Sequence, residues 1–166
     1  MEIRLNTDAI APFAEFWRQA PDIMREEMLI AVVESDSLLL REVQERTPVG
    51  VGGGGGLRGS IFASEEVLAD NVIGVVSTSM PYAVPVELGT KPHFPPVEAL
   101  RDWVEAVLGV SEEESESVAF LVARKISQKG TEGAYMFQRA FADCEAQIVE
   151  IYSEGVARVR DRMAAA

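Results

Sequence analysis

The chain has 166 residues, of which 48% are hydrophobic and 25% are charged, as in an ordinary globular protein. This length favours a single domain over residues 1–166 with a core of its own. The 27 acidic and 15 basic residues give a net charge of −12, which argues against specific nucleic-acid binding and against an anionic membrane as partner. The one cysteine, Cys144, excludes an internal disulfide and a cysteine-rich zinc site.

The amino terminus lacks the basic and then apolar pattern of a signal peptide, and no apolar run approaches the roughly 18 residues of a membrane-spanning helix. We therefore expect an intracellular product. Alternation over residues 2–6 predicts a short edge strand, and Asp8 is placed to cap a short helix. Pro21 suits the first turn of a second helix, which is predicted to end near Arg46 because Pro48 follows.

A glycine-rich stretch over residues 50–56 is the one low-complexity segment of the chain. Ordering consecutive glycines costs the most backbone entropy, so a mobile loop is predicted. Its members are Gly52, Gly53, Gly54, Gly55 and Gly56. A formal dinucleotide fingerprint can be read here, but that fingerprint needs a strand before it and a helix after it. The sequence predicts the reverse order, so nucleotide binding is the weaker interpretation.

From Leu57 the hydrophobic period changes to two, which predicts a strand. Asp70-Asn71 tolerates the positive φ of a hairpin turn, and the β-branched run Val72–Ser79 predicts the return strand. The fold class predicted is α+β: a small antiparallel sheet built on the hairpin of residues 57–80, packed by long α-helices, with a helical C-terminus.

The segment after the hairpin reads as a short helical turn, Tyr82–Leu88, closed by Gly89 as a left-handed cap. Three prolines then force Lys91–Pro96 to be extended. A helical insert over about residues 97–130 follows, with a first helix ending before Gly109. Ser111 and Glu114 have the spacing of a capping box that opens a second helix.

The last predicted helix runs from about Tyr135 to Arg162. Its apolar residues follow a spacing of three and four, which indicates a face that packs on the core or, in its outer half, on a neighbouring subunit. The predicted stripe comprises Phe137, Phe141, Cys144, Ile148, Ile151, Tyr152, Val156, Val159 and Met163.

No set of side chains with a catalytic spacing is found. His93 is the only histidine, which excludes a multi-histidine metal site. A Cys144–His93 dyad would need an exposed cysteine, but Cys144 falls on the apolar stripe of the last helix. Glu87 lacks a second carboxylate at matched spacing, and a structural hydrogen-bonding role is the better interpretation. We predict no catalytic, cofactor or metal site and expect no enzyme activity.

Four motifs occur in a fixed order along the chain. They are Thr47-Pro48-Val49-Gly50, Gly56-Leu57-Arg58-Gly59-Ser60-Ile61, the pair Tyr82-Ala83 and Val86-Glu87-Leu88-Gly89-Thr90, and Met136-Phe137-Gln138-Arg139-Ala140-Phe141. Together they resemble the tail-component family of tailed double-stranded-DNA bacteriophages, whose members are also called head–tail joining, neck or tail-completion proteins. The resemblance covers roughly residues 20–160. The glycine run and the helical insert are longer here than is usual in that family.

The resemblance implies a non-enzymatic virion protein of a phage or prophage, assembled in the host bacterial cytoplasm. It implies a ring, often six-fold, that binds copies of itself and other neck or tail proteins. The residues expected to serve assembly or to define the fold are Arg58, Tyr82, Glu87, Gly89 and Thr90. Two alternatives remain open at this point: a small nucleotide-binding or hydrolytic enzyme that uses the glycine-rich loop, and a generic bacterial adaptor.

Overall fold

The computed structural model describes residues 11–50, 56–68 and 71–165, without the side chains of 11–19. Six helices and four strands occur in these ranges. They are α1 (Ala11–Arg46), α2 (Gly56–Ser60), β1 (Ile61–Val67), β2 (Val72–Thr78), α3 (Ala83–Leu88), β3 (Gly89–Thr90), α4 (Glu98–Leu108), α5 (Glu112–Lys129), β4 (Thr131–Glu132) and α6 (Met136–Ala165). The predicted fold class is confirmed: long helices, a helical C-terminus and a small antiparallel sheet, β1–β2.

Helix α1 runs through Pro21 without interruption, so the prediction of two helices in this region is wrong. A proline inside a helix removes one N–H donor and costs about 3 kcal/mol. That cost falls on one turn of a 36-residue helix, whose later turns bury Ala31, Val32 and Val43 completely or almost so. The predicted strand at residues 2–6 and the predicted cap Asp8 lie outside the described residues.

The hairpin of β1 and β2 closes with a hydrogen bond from the Leu68 N–H to the Asn71 carbonyl at 2.8 Å. The return strand agrees with its prediction, whereas the first strand begins four residues later than expected. Residues 56–60 form helix α2 instead, in which Ser60 Oγ donates to the Leu57 carbonyl at 2.8 Å. A serine hydroxyl that bonds nearby backbone competes with strand formation. Gly56 begins this helix, while Gly52–Gly55 lie outside the described residues.

Strands β3 and β4 form a second, two-residue antiparallel pair, in which Gly89 is opposite Glu132 and Thr90 is opposite Thr131. Gly89 has φ 76° and ψ −176°. Its positive φ agrees with the prediction, but the predicted left-handed cap is wrong because ψ is extended. The residue follows α3 directly, in its C-cap position, and is also the first residue of β3.

The helical insert over residues 97–130 contains α4 and α5, which pack against each other. Gly109 ends α4 in the left-handed conformation, and its N–H donates to the Glu105 carbonyl at 3.1 Å. The prediction of a reciprocal capping box at α5 is wrong. Ser111 precedes the helix in an extended conformation, but its hydroxyl reaches the Glu114 carboxylate at 3.4 Å instead of a backbone N–H.

The chain forms two compact units, and the prediction of a single domain remains a prediction. The first unit is drawn from Met1–Leu38, Ala63–Val75 and Cys144–Ala166, and the second from Leu39–Phe62 and Val76–Asp143. The buried residues of the first core are Ala31, Leu38, Cys144 and Ile151. Those of the second core are Val43, Leu57, Ile61, Ala83, Met136 and Ala140.

The apolar stripe predicted on α6 is correct for Cys144 and Ile151, which are buried. It is also correct for Phe137, Ile148 and Tyr152, which are partly buried and pack against the cores. It is wrong for two other positions. Phe141 is 51% exposed and Val156 is 58% exposed. Ala140 and Gly155, each one residue earlier in the helix, are buried instead, because the inward face is turned by about one residue at these two points. None of the helices in the described residues has the length and apolar character needed to cross a membrane.

Candidate functional site

Thr47 is the residue at which three of the four motifs meet. It is 1% exposed, and its hydroxyl donates to the Val43 carbonyl at 2.6 Å. The same hydroxyl lies 3.2 Å from the sulfur of Met136. The Thr47 carbonyl accepts a hydrogen bond from Arg58 Nη2 at 2.9 Å. The end of α1, helix α2 and the start of α6 are therefore joined at one residue, through its side chain and its carbonyl.

The guanidinium of Arg58 lies at the carboxyl end of α1. Its Nη2 donates to the carbonyls of Glu45 and Thr47 at 3.3 Å and 2.9 Å. The last carbonyls of a helix have no partner within the helix, and the helix dipole favours a positive charge there. Arg58 Nε is buried and makes no hydrogen bond. The arginine predicted to make a charged contact thus serves the end of a helix in its own unit.

Glu87 lies at the amino end of helix α6, whereas Arg58 lies at the carboxyl end of α1. Its Oε2 accepts the N–H of Phe137 at 3.1 Å, and its Oε1 accepts the N–H of Gln138 at 3.1 Å. Its own carbonyl accepts the N–H of Tyr135 at 3.0 Å. The N–H groups of Phe137 and Gln138 belong to the first turn of α6, where a carboxylate complements both the unpaired donors and the helix dipole. Glu87 is therefore the cap of α6, supplied by another element.

Gly89 and Thr90 form strand β3 and make close contacts with its partner strand β4. A Cβ on Gly89 would lie 2.2 Å from the Thr131 carbonyl oxygen, and one on Gly133 would lie 2.3 Å from the Glu87 carbonyl oxygen. The hydroxyls of Thr90 and Thr131 are 3.0 Å apart, and the Thr131 N–H donates to Thr90 Oγ1 at 3.2 Å. Two glycines are thus required by close backbone approach, and sequence reasoning had identified only Gly89.

Tyr82 was predicted to serve assembly or the fold, but its side chain takes no part in the contacts described above. It precedes α3, its carbonyl accepts the Val86 N–H at 3.2 Å, and the residue is 45% exposed. Sequence reasoning missed the role of Gly133. The signal that could have found it is its position directly after the short Thr131-Glu132 segment.

A salt bridge beside Thr47 also joins the end of α1 to α6. Arg46 Nη1 contacts Glu42 Oε2 at 2.5 Å, and Arg46 Nη2 contacts Asp143 Oδ2 at 2.7 Å. The hydrogen bond from Arg46 lowers the pKa of Glu42, and hydrogen bonds to Glu42 and Asp143 raise the pKa of Arg46. These charges stabilise one another within the unit.

The second unit also has an open groove of about 780 Å³ between α4, α5 and the β3–β4 pair. Its apolar lining comes from Val86, Leu100, Trp103, Val122 and Ile126. Lys125, Lys129 and Glu132 supply its charged lining. The surface is apolar with a rim that is more basic than acidic, in a chain of net charge −12.

The two residues considered for a catalytic dyad belong to different units. His93 is exposed, and its Nδ1 is 2.9 Å from the Lys91 carbonyl oxygen. Cys144 is buried in the first core. Among the side chains of residues 20–50, 56–68 and 71–165, no group of three or more His, Cys, Asp or Glu has a metal-binding arrangement. The chemistry available at the motif cluster is hydrogen bonding that fixes backbone.

Comparison of the chain with protein-family models, with curated proteins and with solved structures found no match.

Proposed function

We propose that this chain is a non-enzymatic structural protein of the neck or tail of a tailed phage or prophage. In this role it joins or completes the tail by binding copies of itself and other virion proteins. Its place is the virion, after assembly in the host bacterial cytoplasm. A subunit of a ring needs two different surfaces that meet head to tail and close.

One observation carries the proposal. Motifs that are far apart in the sequence contact one another: Arg58 binds the carbonyl of Thr47, the Thr47 hydroxyl touches Met136, and Glu87 caps the helix that Met136 begins. Sequence motifs that serve the fold and assembly are expected to have residues in contact with one another in this way. A pattern kept for catalysis would instead leave polar side chains converging on open space.

Exposed apolar side chains give a second line of support. Val84, Leu88, Phe94 and Leu121 are each more than half exposed. Scattered exposed apolar residues are normal, but large exposed patches mark interaction sites. Leu121 belongs to the helical insert, and the ring of Phe94 lies 6.0 Å from that of Phe120 in the same insert. The insert is the part of the chain that this proposal assigns to contacts between proteins.

The decisive experiment is the deletion of this gene from the phage or prophage that encodes it, followed by electron microscopy of the particles. We expect heads without joined tails, or tails of abnormal length. Normal tailed particles would overturn the proposal. Complementation with the intact gene is the control. Portal and capsid genes upstream and a tail-tube gene downstream are the expected neighbours.

The enzyme alternative has its own test. A nucleotide or divalent metal that binds the folded chain stabilises it and so raises its melting temperature. At a ligand concentration of a hundred times Kd, the gain in the free energy of unfolding is about 2.7 kcal/mol. We expect no shift with adenine or guanine nucleotides, with or without Mg²⁺. A shift of several degrees would favour the enzyme.

A further inference from the structure

Lys125 and Lys129 line the groove between α4, α5 and β3–β4. We define the lysine groove as Val86, Leu100, Trp103, Val122, Lys125, Ile126 and Lys129. The chain has only three lysines, and the third, Lys91, has its carbonyl carbon 3.0 Å from the position of a Cβ on Gly130, which also lines the groove.

None of these ammonium groups has a partner in the described part of the chain. No carboxylate of residues 20–50, 56–68 or 71–165 lies within 4.0 Å of Lys91, Lys125 or Lys129, although arginines in the same ranges form eight such ion pairs. Glu132 is the one carboxylate in the groove lining. An apolar groove with unpaired lysines at its rim is complementary to a segment that has an exposed apolar side chain with acidic side chains next to it.

The same unit carries a surface of that kind at the other end of α5. The helix begins with Glu112, Glu113 and Glu114 in its first turn. Glu113, Glu116 and Phe120 are spaced by three and four, so they share one exposed face, which we call the acidic face of α5. Phe120 is 49% exposed and Leu121 beside it is 59% exposed.

A single copy cannot satisfy both ends of this helix. Nine residues separate Glu116 from Lys125, which corresponds to roughly 14 Å along a helix axis at 1.5 Å per residue. Helix α5 is therefore acidic at its start and basic at its end, with apolar side chains exposed near each. Two such surfaces complement each other only between copies.

We infer that the lysine groove binds the acidic face of α5 from a second copy of this chain. Phe120 of one copy lies on the apolar lining, and Glu113 and Glu116 pair with Lys125 and Lys129 of the other. The two surfaces differ, so the contact is heterologous and repeats from copy to copy until it closes into a ring. This inference rests on the proposed assembly function and names the surfaces that carry it.

A charge-swap experiment tests the contact in the full-length chain. Sedimentation velocity over a range of concentrations at low ionic strength is expected to show self-association that weakens as salt is added. The variants K125E/K129E and E113K/E116K are each expected to weaken it by more than about tenfold, because like charges then face each other. An equimolar mixture of the two variants restores complementary charges at every contact and is expected to restore association.

The matched control for E113K/E116K is E150K/E154K, which makes the same charge change on exposed residues of α6. It is expected to leave association close to that of the wild-type chain, and far-UV circular dichroism checks that every variant is folded. A wild-type chain that is monomeric throughout, an equal loss in the control, or no restoration on mixing would each overturn the inference. So would self-association that persists in K125E/K129E while binding to another virion protein is lost.

The inference and the proposed function fail separately. Particles made without the protein test the function, and particles made with K125E/K129E test the groove. Defective particles in the first case with normal particles in the second would leave the function standing and overturn the groove contact.

Discussion

The carboxylate of Glu87 caps helix α6 by accepting the N–H of Phe137 at 3.1 Å, although 50 residues separate the two positions in sequence. A cap usually comes from the residue just before its helix. The residue before α6 is Tyr135, which has a positive φ of 52° and no side-chain acceptor suited to a cap. Glu87 therefore connects the element α3 to the start of the longest helix of the carboxyl-terminal half.

Substituting Glu87 measures this cap. Glu87→Ala is expected to lower the free energy of unfolding by about 0.5–2 kcal/mol, the usual cost of removing an N-cap acceptor. Glu87→Gln keeps one acceptor oxygen and is expected to lose less. Urea unfolding followed by circular dichroism is the measurement. The control is Glu145→Ala, an exposed glutamate within α6, for which a change within about 0.5 kcal/mol is expected. Equal losses at the two positions would contradict the cap.

A glycine can be needed for its positive φ or for a close approach of another backbone segment. A comparison of Gly89 with Gly109 distinguishes these two reasons. Both have positive φ, 76° and 67°, but a Cβ on Gly89 would lie 2.2 Å from the Thr131 carbonyl oxygen whereas one on Gly109 would meet nothing within 4 Å. Gly109→Ala is expected to cost about 1–2 kcal/mol from backbone strain alone. Gly89→Ala is expected to cost more, because the β3–β4 pair must also move apart. Thermal unfolding of the two variants compares them, and equal midpoints would contradict the close approach.

The sequence predicted the elements that depend on local signals. The end of α1 before Pro48, the return strand β2 and the end of α4 at Gly109 each follow from the residues at that point. Pro21 shows where local signals fail, because its unfavourable effect is outweighed by the length and burial of the helix around it.

Only the features of the candidate site that depend on local signals could be predicted from the sequence. Gly89 could be selected because a positive φ has a residue-type signature. That Glu87 faces α6, and that Arg58 faces the end of α1, could not be deduced from spacing, since both contacts join distant segments. The resemblance to a phage family selected these residues without indicating what they bind.

Asp36 is a buried carboxylate that no sequence pattern indicated. It is 7% exposed, its Oδ2 has no hydrogen-bond partner, and it lies against the Cα of Gly74, where a Cβ would come within 2.3 Å. Burial, and then the negative charge of Glu65, raise the pKa of Asp36 above its ordinary value of 3.8. The charged form is therefore held in a site that disfavours it.

Asp36→Asn is expected to raise the free energy of unfolding at neutral pH, because a neutral amide costs less to bury than an unpaired carboxylate. A raised folded-state pKa means that the native state binds the proton more tightly, so wild-type stability falls as pH rises from 3.8 to the raised pKa. The gain from Asp36→Asn should grow across that window and then stay constant. Unfolding in urea at a series of pH values measures it.

The control for that series is Asp102→Asn, an exposed aspartate of α4, for which a change within about 0.5 kcal/mol is expected at every pH. A wild-type chain that is more stable than Asp36→Asn at neutral pH would contradict the unpaired buried charge.

Glu27, on the same helix, is expected to show the opposite dependence on pH. Its side chain is 7% exposed, and its two oxygens accept hydrogen bonds from Arg158 Nε and Arg162 Nη1, both at 2.8 Å. The hydrogen bond from Arg162, then that from Arg158, lowers the pKa of Glu27 below its ordinary value of 4.5. The carboxylate joins α1 to α6 within the first unit.

Glu27→Gln is expected to destabilise the chain at neutral pH by removing the charge that both guanidinium groups face. Because the folded-state pKa is depressed, the stability that Glu27 supplies is fully present above pH 4.5 and is lost as pH falls through the lower folded value. The variant and the wild-type chain should therefore converge in acid. Glu26→Gln, an exposed neighbour that contacts Arg162 alone, is the control and should cost less. A destabilisation by Glu27→Gln that is the same at pH 7 and in acid would show that the Glu27 charge is not its source.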